Sequence, residues 1–358
     1  MNMELYWLWL CTIPGIGIKT IDKLMNFFET PMDIFKAGNG LFEDIQDIDN
    51  IKIAAILTSR DISRVQREYN KLIERDIRFI SCESSGFPKK LTYLPDMPKG
   101  IFYQGRLPDA KRLSIAIIGA RNCTSYGREI AGDFARQLAA NDIQVISGLA
   151  RGIDVSAHKG ALLGGGDTFG VLGCGINICY PREHIEVFEN MKSVGGIISE
   201  YGIGIPPDAW RFPMRNRIIS GLSDGIFIVE AGERSGALIT AYMGLEQGKD
   251  IFALPGRALD PLSTGCNNLI KSGAKMVTVP GEILEEYQIK FKIMKKNQIR
   301  LDKFDKLVYS SLCLIPKNID DVADEVKLDI SQVIPILLKL ELKGCIKQAA
   351  RNQYIINL

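Results

Sequence analysis

The sequence predicts a three-part chain: an α/β core built on a doubly wound, mostly parallel sheet, a small all-helical domain before it, and a winged helix after it. Three observations carry this. Nine short β-rich runs begin at Ile77, and most of those beyond Ser114 are separated by gaps that fit one crossover helix. Several runs, such as Ala116-Ile117-Ile118 and Ile226-Phe227-Ile228-Val229, are apolar throughout, as strands covered by helices on both faces are. The residues ahead of Ile77 carry helical periodicity and no convincing strand. Length agrees, since 358 residues at roughly 150 per domain leave room for two or three domains.

Taken in order, residues 1–75 form the helical domain. Ile21, Leu24, Met25 and Phe28 recur at helical spacing behind the turn Pro14-Gly15-Ile16-Gly17. That turn has the helix-hairpin-helix form, whose amides can meet one DNA phosphate. The core occupies 76–288, with strands expected at 77–81, 101–103, 114–118, 144–147, 168–172, 196–199, 226–230, 250–254 and 276–278. Residues 289–300 hold Lys290, Lys292, Lys295, Lys296 and Arg300 without an acid and are read as a basic linker. From 301 to 358 the pattern is helix, helix, helix and strand pair. The second and third helices fall at 319–326 and 331–343, and the strands at 345–348 and 353–356, which is the winged-helix plan.

Composition removes several classes. At 46% hydrophobic and 24% charged the chain is neither disordered nor fibrous. The most apolar run, Leu5 to Ile18, is broken by Thr12, Pro14, Gly15 and Gly17, so no membrane span is expected. The opening Met-Asn-Met-Glu has an acid where an export signal needs a base, so a cytoplasmic location with eight reduced cysteines is expected. Two histidines and no Cys-x-x-Cys pair argue against zinc, and no cofactor is implied. The net charge of +2 neither demands nor forbids nucleic acid, so any basic patch must come from clustering.

The strongest local signal is the passage from strand to helix at 118–127, Ile-Gly-Ala-Arg-Asn-Cys-Thr-Ser-Tyr-Gly. Gly119 allows close backbone approach, Thr124 or Ser125 can cap the helix, and its first amides with Arg121 would hold a phosphate. An ordinary turn with a solvated arginine is the alternative. A second glycine loop, 147–154, presents Gly148 and Arg151, with Asp154 read as a helix N-cap. A third, 173–182, presents Gly175, Tyr180 and Arg182 at the same sheet edge. At 210–217, Trp-Arg-Phe-Pro-Met-Arg-Asn-Arg offers Arg215 and Arg217 among aromatics suited to stacked bases, or else places Trp210 and Phe212 in the core. Gly221-Leu222-Ser223-Asp224-Gly225 imitates the nucleophile elbow of serine hydrolases, but it precedes a strand instead of following one.

These loops, in this order, resemble the DNA-processing protein A family (DprA, also called Smf). The resemblance is carried by Ile118-Gly119-Ala120-Arg121, the run 147–154 with Ala157-His158, Tyr180-Pro181, Ser199-Glu200-Tyr201, and Phe212-Pro213 with Arg215-Asn216-Arg217. It continues through Val229-Glu230-Ala231, Ser235-Gly236 with Thr240-Ala241, Pro255-Gly256, and the run 265–270 with Gly273-Ala274, about 180 residues in register. It implies an extended Rossmann core, an N-terminal domain of the SAM or helix-hairpin-helix kind and, as in many members, a C-terminal winged helix. It also implies single-stranded DNA binding without sequence preference, protection of incoming DNA, a homodimer through the core, and loading of the RecA recombinase during natural transformation. A single-strand-binding protein would be a further partner. Phosphate contacts then fall on Gly119, Arg121 and Thr124, and on Arg182, Arg215 and Arg217. Asn177, where the family pattern has Asp, is a departure.

The rival is an enzyme, a nucleotide-cleaving phosphoribohydrolase of the lysine-decarboxylase-like group. That group carries Pro-Gly-Gly-x-Gly-Thr-x-x-Glu. Here the stretch is 231–240 and Thr240 stands where the catalytic Glu would be.

Overall fold

The computed structural model describes residues 3–42, 45, 48–292 and 301–356. Nine strands form one sheet: β1 (Arg78–Ser81), β2 (Gly100–Gly105), β3 (Ser114–Ile118), β4 (Gln144–Ser147), β5 (Thr168–Leu172), β6 (Gly196–Ser199), β7 (Gly225–Ile228), β8 (Asp250–Ala253) and β9 (Lys275–Met276). Their order is β1-β2-β6-β5-β4-β3-β7-β8-β9. The seven strands from β6 to β9 are parallel, whereas β1 and β2 extend the sheet antiparallel beyond β6.

Alternation along β3 shows why the sheet is doubly wound. Ile115 and Ile117 point to one face, where they meet Phe134, Leu138 and Ala157 of the helices Ser125–Ala140 and Ile153–Leu163. Ala116 and Ile118 point to the other, against Ile218 and Ile219 of Arg211–Leu222 and Leu238 of Gly236–Glu246. Phe134 stacks on Phe227 of β7 with ring centroids 4.5 Å apart. From β3 the chain steps outward through β4, β5 and β6 and then returns to β7 on the other side of β3. The winding direction therefore reverses between β3 and β7, and the loops leaving their carboxyl ends diverge there to leave a crevice.

Among the described residues, five α-helices precede the sheet: Met3–Thr12, Ile18–Phe27, Pro31–Lys36, Asn50–Thr58 and Ile62–Glu74. Thr30 with Asp33 forms a capping box, and Asp49 and Asp61 cap the last two, which fixes the helix starts in so short a segment. Trp7, Trp9 and Leu10 share a core cluster with Phe79 and Phe102, so these helices pack against the antiparallel end of the sheet.

After the sheet in the chain, helices Lys303–Ser311, Ile319–Val326 and Ile330–Leu342 enclose a separate cluster around Val308, Val322, Val333 and Leu337. The expected strand pair is there as Ile346–Ala350 and Gln353–Ile356. A third short strand, Lys317–Asn318, completes an antiparallel sheet with Gln353–Ile356 in the middle. The stretch 293–300, most of the basic linker, lies outside the described residues. Among the described residues no helix is long and apolar enough to cross a membrane.

Candidate functional site

At the switch point the ends of β3 and β7 open a cleft of about 520 Å³. Its walls include Gly119, Arg121, Asn122, Asp154, Phe212, Arg215, Arg234 and Thr240. The helix Ser125–Ala140 begins here with Thr124 as its N-cap, the hydroxyl accepting from the Gly127 amide at 2.9 Å. The expected vacancy for a phosphate at this helix start is, however, filled from within. The buried Glu230 carboxylate accepts from the Thr124 amide at 2.8 Å and from its hydroxyl. A Cβ on Gly127 would lie only 2.6 and 2.7 Å from the Glu230 carboxylate oxygens, so glycine is required there to let the acid in. Thr124 is thus spent on an internal anion, and Ser125 accepts from Arg128 at 3.2 Å. The sequence held the signal for Glu230 in Val229-Glu230-Ala231, at the end of the strand adjoining β3, but nothing in the spacing said where its carboxylate would turn.

The glycines of the other loops are also committed to packing. A Cβ on Gly148 would sit 2.6 Å from the Arg215 guanidinium, one on Gly119 2.6 Å from Ile153, and one on Gly175 2.6 Å from the Gly202 carbonyl. Arg215 and Arg217 are corrected likewise. They do not line an open loop. Both are buried on the helix Arg211–Leu222, 5% and 2% exposed, and they leave it in different directions. Arg215 donates to the carbonyls of Gly148, at 2.8 Å, and Val171, and burial pushes its pKa down to about 10, still charged at neutral pH. Arg217 is held by Glu200 at 2.5 Å and Asp96 at 3.0 Å. Burial drives the Glu200 pKa upward, against the pull of that guanidinium.

What remains accessible is smaller and better defined. Arg121 is exposed, makes no ion pair among the described residues, and holds its guanidinium over the Phe212 ring at 5.5 Å. Arg182 and Arg234 are likewise exposed and unpaired among the described residues. Arg151 is exposed but forked onto Glu183 at 2.8 and 3.1 Å. Tyr180 is half exposed and leans on Phe212 at 5.6 Å, and Trp210 is 59% exposed, so the core reading of Trp210 does not hold.

Asp154 is not the N-cap expected. Gly152 takes that position, and the Asp154 carboxylate, buried in the first turn, accepts from the Gly148 amide at 3.2 Å. Asn177, the departure from the family pattern, accepts from the Gly204 amide at 2.9 Å and so ties two loops together. Ser223 is fully buried and donates to the Ile219 carbonyl at 2.8 Å, with no access to a substrate. Among the described residues no group of His, Cys, Asp and Glu side chains could hold a metal ion.

A Rossmann-like sheet with arginines at its switch point fits many proteins, but family comparison narrows the choice. A family model described as DNA recombination-mediator protein A matches residues 78–288, the whole nine-stranded sheet and its crossovers. The chain belongs to that family. It is 38% identical over 279 residues to the protein Smf of Escherichia coli, covering 75% of this chain and 74% of that one. With the DNA processing protein DprA of Streptococcus pneumoniae it shares 36% over 252 residues, covering 69% and 87%. The X-ray structure of the S. pneumoniae protein superposes with a TM-score of 0.69 at 33% identity, over 82% of this chain and 99% of that one. A Helicobacter pylori DNA processing protein A, solved for its single-stranded DNA binding mode, superposes with a TM-score of 0.53 at 30% identity, over 60% and 98%. The family is one of recombination mediators, not of enzymes.

Proposed function

We propose that this chain binds single-stranded DNA without sequence preference across the switch-point cleft and delivers it to a RecA-type recombinase during DNA processing in transformation. The observation that carries this is Arg121: a guanidinium exposed at the mouth of the cleft, free of any carboxylate among the described residues, braced against Phe212. Arg234, also in the cleft wall, adds a second open cation, and Arg182 is exposed on the segment after β5. Such groups meet phosphates, which every sequence presents alike. The single-strand binding of the H. pylori relative supports the reading.

The finer organisation is part of the same proposal. Residues 1–75 act as a helix-hairpin-helix-like domain, 76–288 as the extended Rossmann core, and 301–358 as a winged helix. A homodimer forms through the core. The helix Gly236–Glu246 exposes Ile239, Tyr242 and Leu245, apolar side chains suited to a second copy. Light scattering gives twice the 39.8 kDa of one chain if so. A mass that stays at one chain at all concentrations rejects the dimer.

The deciding experiment is fluorescence anisotropy with a labelled single strand over a range of salt. Affinity falls as salt rises, with about 0.7 in log–log slope for each phosphate neutralised. Arg121→Glu removes most binding while changing stability by less than about 0.5 kcal/mol, as for other exposed loop substitutions. Wild-type affinity in Arg121→Glu rejects the site.

A further inference from the structure

We propose that the rim of the cleft carries a base-stacking platform whose open faces are Trp210 and Tyr180, so that unpaired nucleobases are held there as well as phosphates. This rests on the reading above that a single strand passes Arg121, and it adds a subsite that phosphate binding does not require.

The two rings stand out by exposure and by bracing. Trp7 and Trp9 are 2% exposed, whereas Trp210 is 59% exposed and Tyr180 49%. Apolar surface of this size is costly to leave in water, and a mobile ring would fold down onto its neighbours. Neither ring is free to do so. The Arg211 guanidinium lies 4.8 Å from the Trp210 ring centre and 5.1 Å from that of Tyr201. Arg211 is itself pinned by Asp208 at 2.6 Å and by the Pro206 carbonyl. Tyr201 meets Trp210 edge-on at 6.5 Å and 89°. Tyr180 is backed by Phe212 at a tilt of 30°, and Phe212 carries Arg121 within 5.5 Å.

Because residues 210, 211 and 212 are consecutive at the start of one helix, the two aromatic stacks share a backbone. A strand held at Arg121 has the Trp210 ring within its reach. The ligand that fits is a flat heteroaromatic ring with both faces free. Every base offers such a face, but only when unpaired, since duplex bases are already stacked on one another. The platform therefore favours single strands over duplex while staying indifferent to sequence. The acids near it are each paired with an arginine, Asp208 with Arg211, Glu183 with Arg151 and Glu200 with Arg217, which limits their repulsion of the backbone.

Trp210 supplies its own readout, being the exposed one of the three tryptophans. In the full-length protein, an oligothymidylate of about 16 nucleotides quenches tryptophan fluorescence as it binds. An abasic strand of equal length, with the same phosphates, binds more weakly by about fivefold or more and leaves the emission unchanged. Trp210→Leu abolishes the quench and lowers oligothymidylate affinity toward the abasic value, whereas Trp210→Phe, which keeps a stacking face, retains most of it. Tyr180→Leu weakens the normal strand more than the abasic one. Binding without a fluorescence change, or equal quenching by the abasic strand, overturns the platform and leaves the phosphate reading standing. Quenching that persists in an Arg121→Glu protein of wild-type affinity overturns the phosphate site and leaves the platform. Failure of any strand to bind overturns both.

Discussion

The cleft at the sheet's switch point and the C-terminal three-helix unit both carry cations next to a helix, yet they offer opposite surfaces. In the cleft wall, Arg121 and Arg234 stand exposed with no ion pair among the described residues, as does Arg182 on the segment after β5. In the C-terminal unit half of the eight basic side chains are paired. Lys339 meets Asp302 at 2.6 Å and Asp305 at 2.9 Å, Lys343 meets Asp305 at 3.2 Å, Lys317 meets Glu325 at 2.6 Å, and Lys347 reaches Glu129 of the core. Its helix Ile330–Leu342 shows Ile330, Ile334, Leu338 and Leu342 to solvent, an apolar row at four-residue spacing. The contrast teaches that the count of cations does not make an anion site. Availability does, and within the core the same rule separates Arg121 from the buried, occupied Arg215 and Arg217.

Removing a cation from the occupied class gives the largest expected effect. Arg217→Ala strands Glu200 in a buried position without its guanidinium, which costs about 3–5 kcal/mol of stability. A denaturant titration measures it, and the strand affinity of the remaining folded protein stays at the wild-type value. Should Arg217→Ala unfold normally and fail to bind, Arg217 belongs to the accessible class after all.

Glu230→Ala comes next, at about 1–3 kcal/mol. It leaves the Thr124 amide without an acceptor and empties the anion position at the start of the helix Ser125–Ala140. Added inorganic phosphate then raises the melting temperature of Glu230→Ala and not that of the wild type. An equal response in both means that the helix start was open to begin with. Arg121→Glu follows, with a loss of tenfold or more in strand affinity, about 1.4 kcal/mol, and no change in melting.

The fold is largely legible in the sequence. All nine strands fall where hydrophobic runs and turn residues put them. For β3, β4, β5 and β6 even the ends agree, because there a short apolar stretch meets a glycine on at least one side. Lys317–Asn318 was not legible, since two polar residues carry no period. The site was half legible. Arg121 could be picked out because a glycine-led loop after a central strand points to the sheet's carboxyl edge. Arg215 and Arg217 misled because eight residues with three arginines and no acid look solvent-facing. Their partners, Glu200, Asp96 and the carbonyls of Gly148 and Val171, come from distant parts of the chain. Burial of a charge is a property of tertiary partners, and no local window contains them.

The smallest effect is expected from the unit that looks most like a DNA reader. If 301–358 is a winged helix, its third helix is the one that would enter a groove, yet the N-terminal half of Ile330–Leu342 holds neither Arg nor Lys. The whole segment balances eight bases with eight acids, so its pull on phosphates is weak. Its core around Val308, Val322, Val333 and Leu337 is separate from the three clusters of the preceding residues, and removing it opens none of them. The Lys347 to Glu129 pair is lost, but Glu129 then faces water at little cost. A chain ending near residue 298 therefore keeps single-strand affinity within tenfold of the full protein, less than about 1.4 kcal/mol, and keeps its oligomeric state. The apolar row on Ile330–Leu342 suits a protein partner better than a polyanion, so what the shortened chain loses is protein binding. A fall of tenfold or more in strand affinity would place a DNA contact on Lys343, Lys347 or Arg351 and erase the contrast between the two regions.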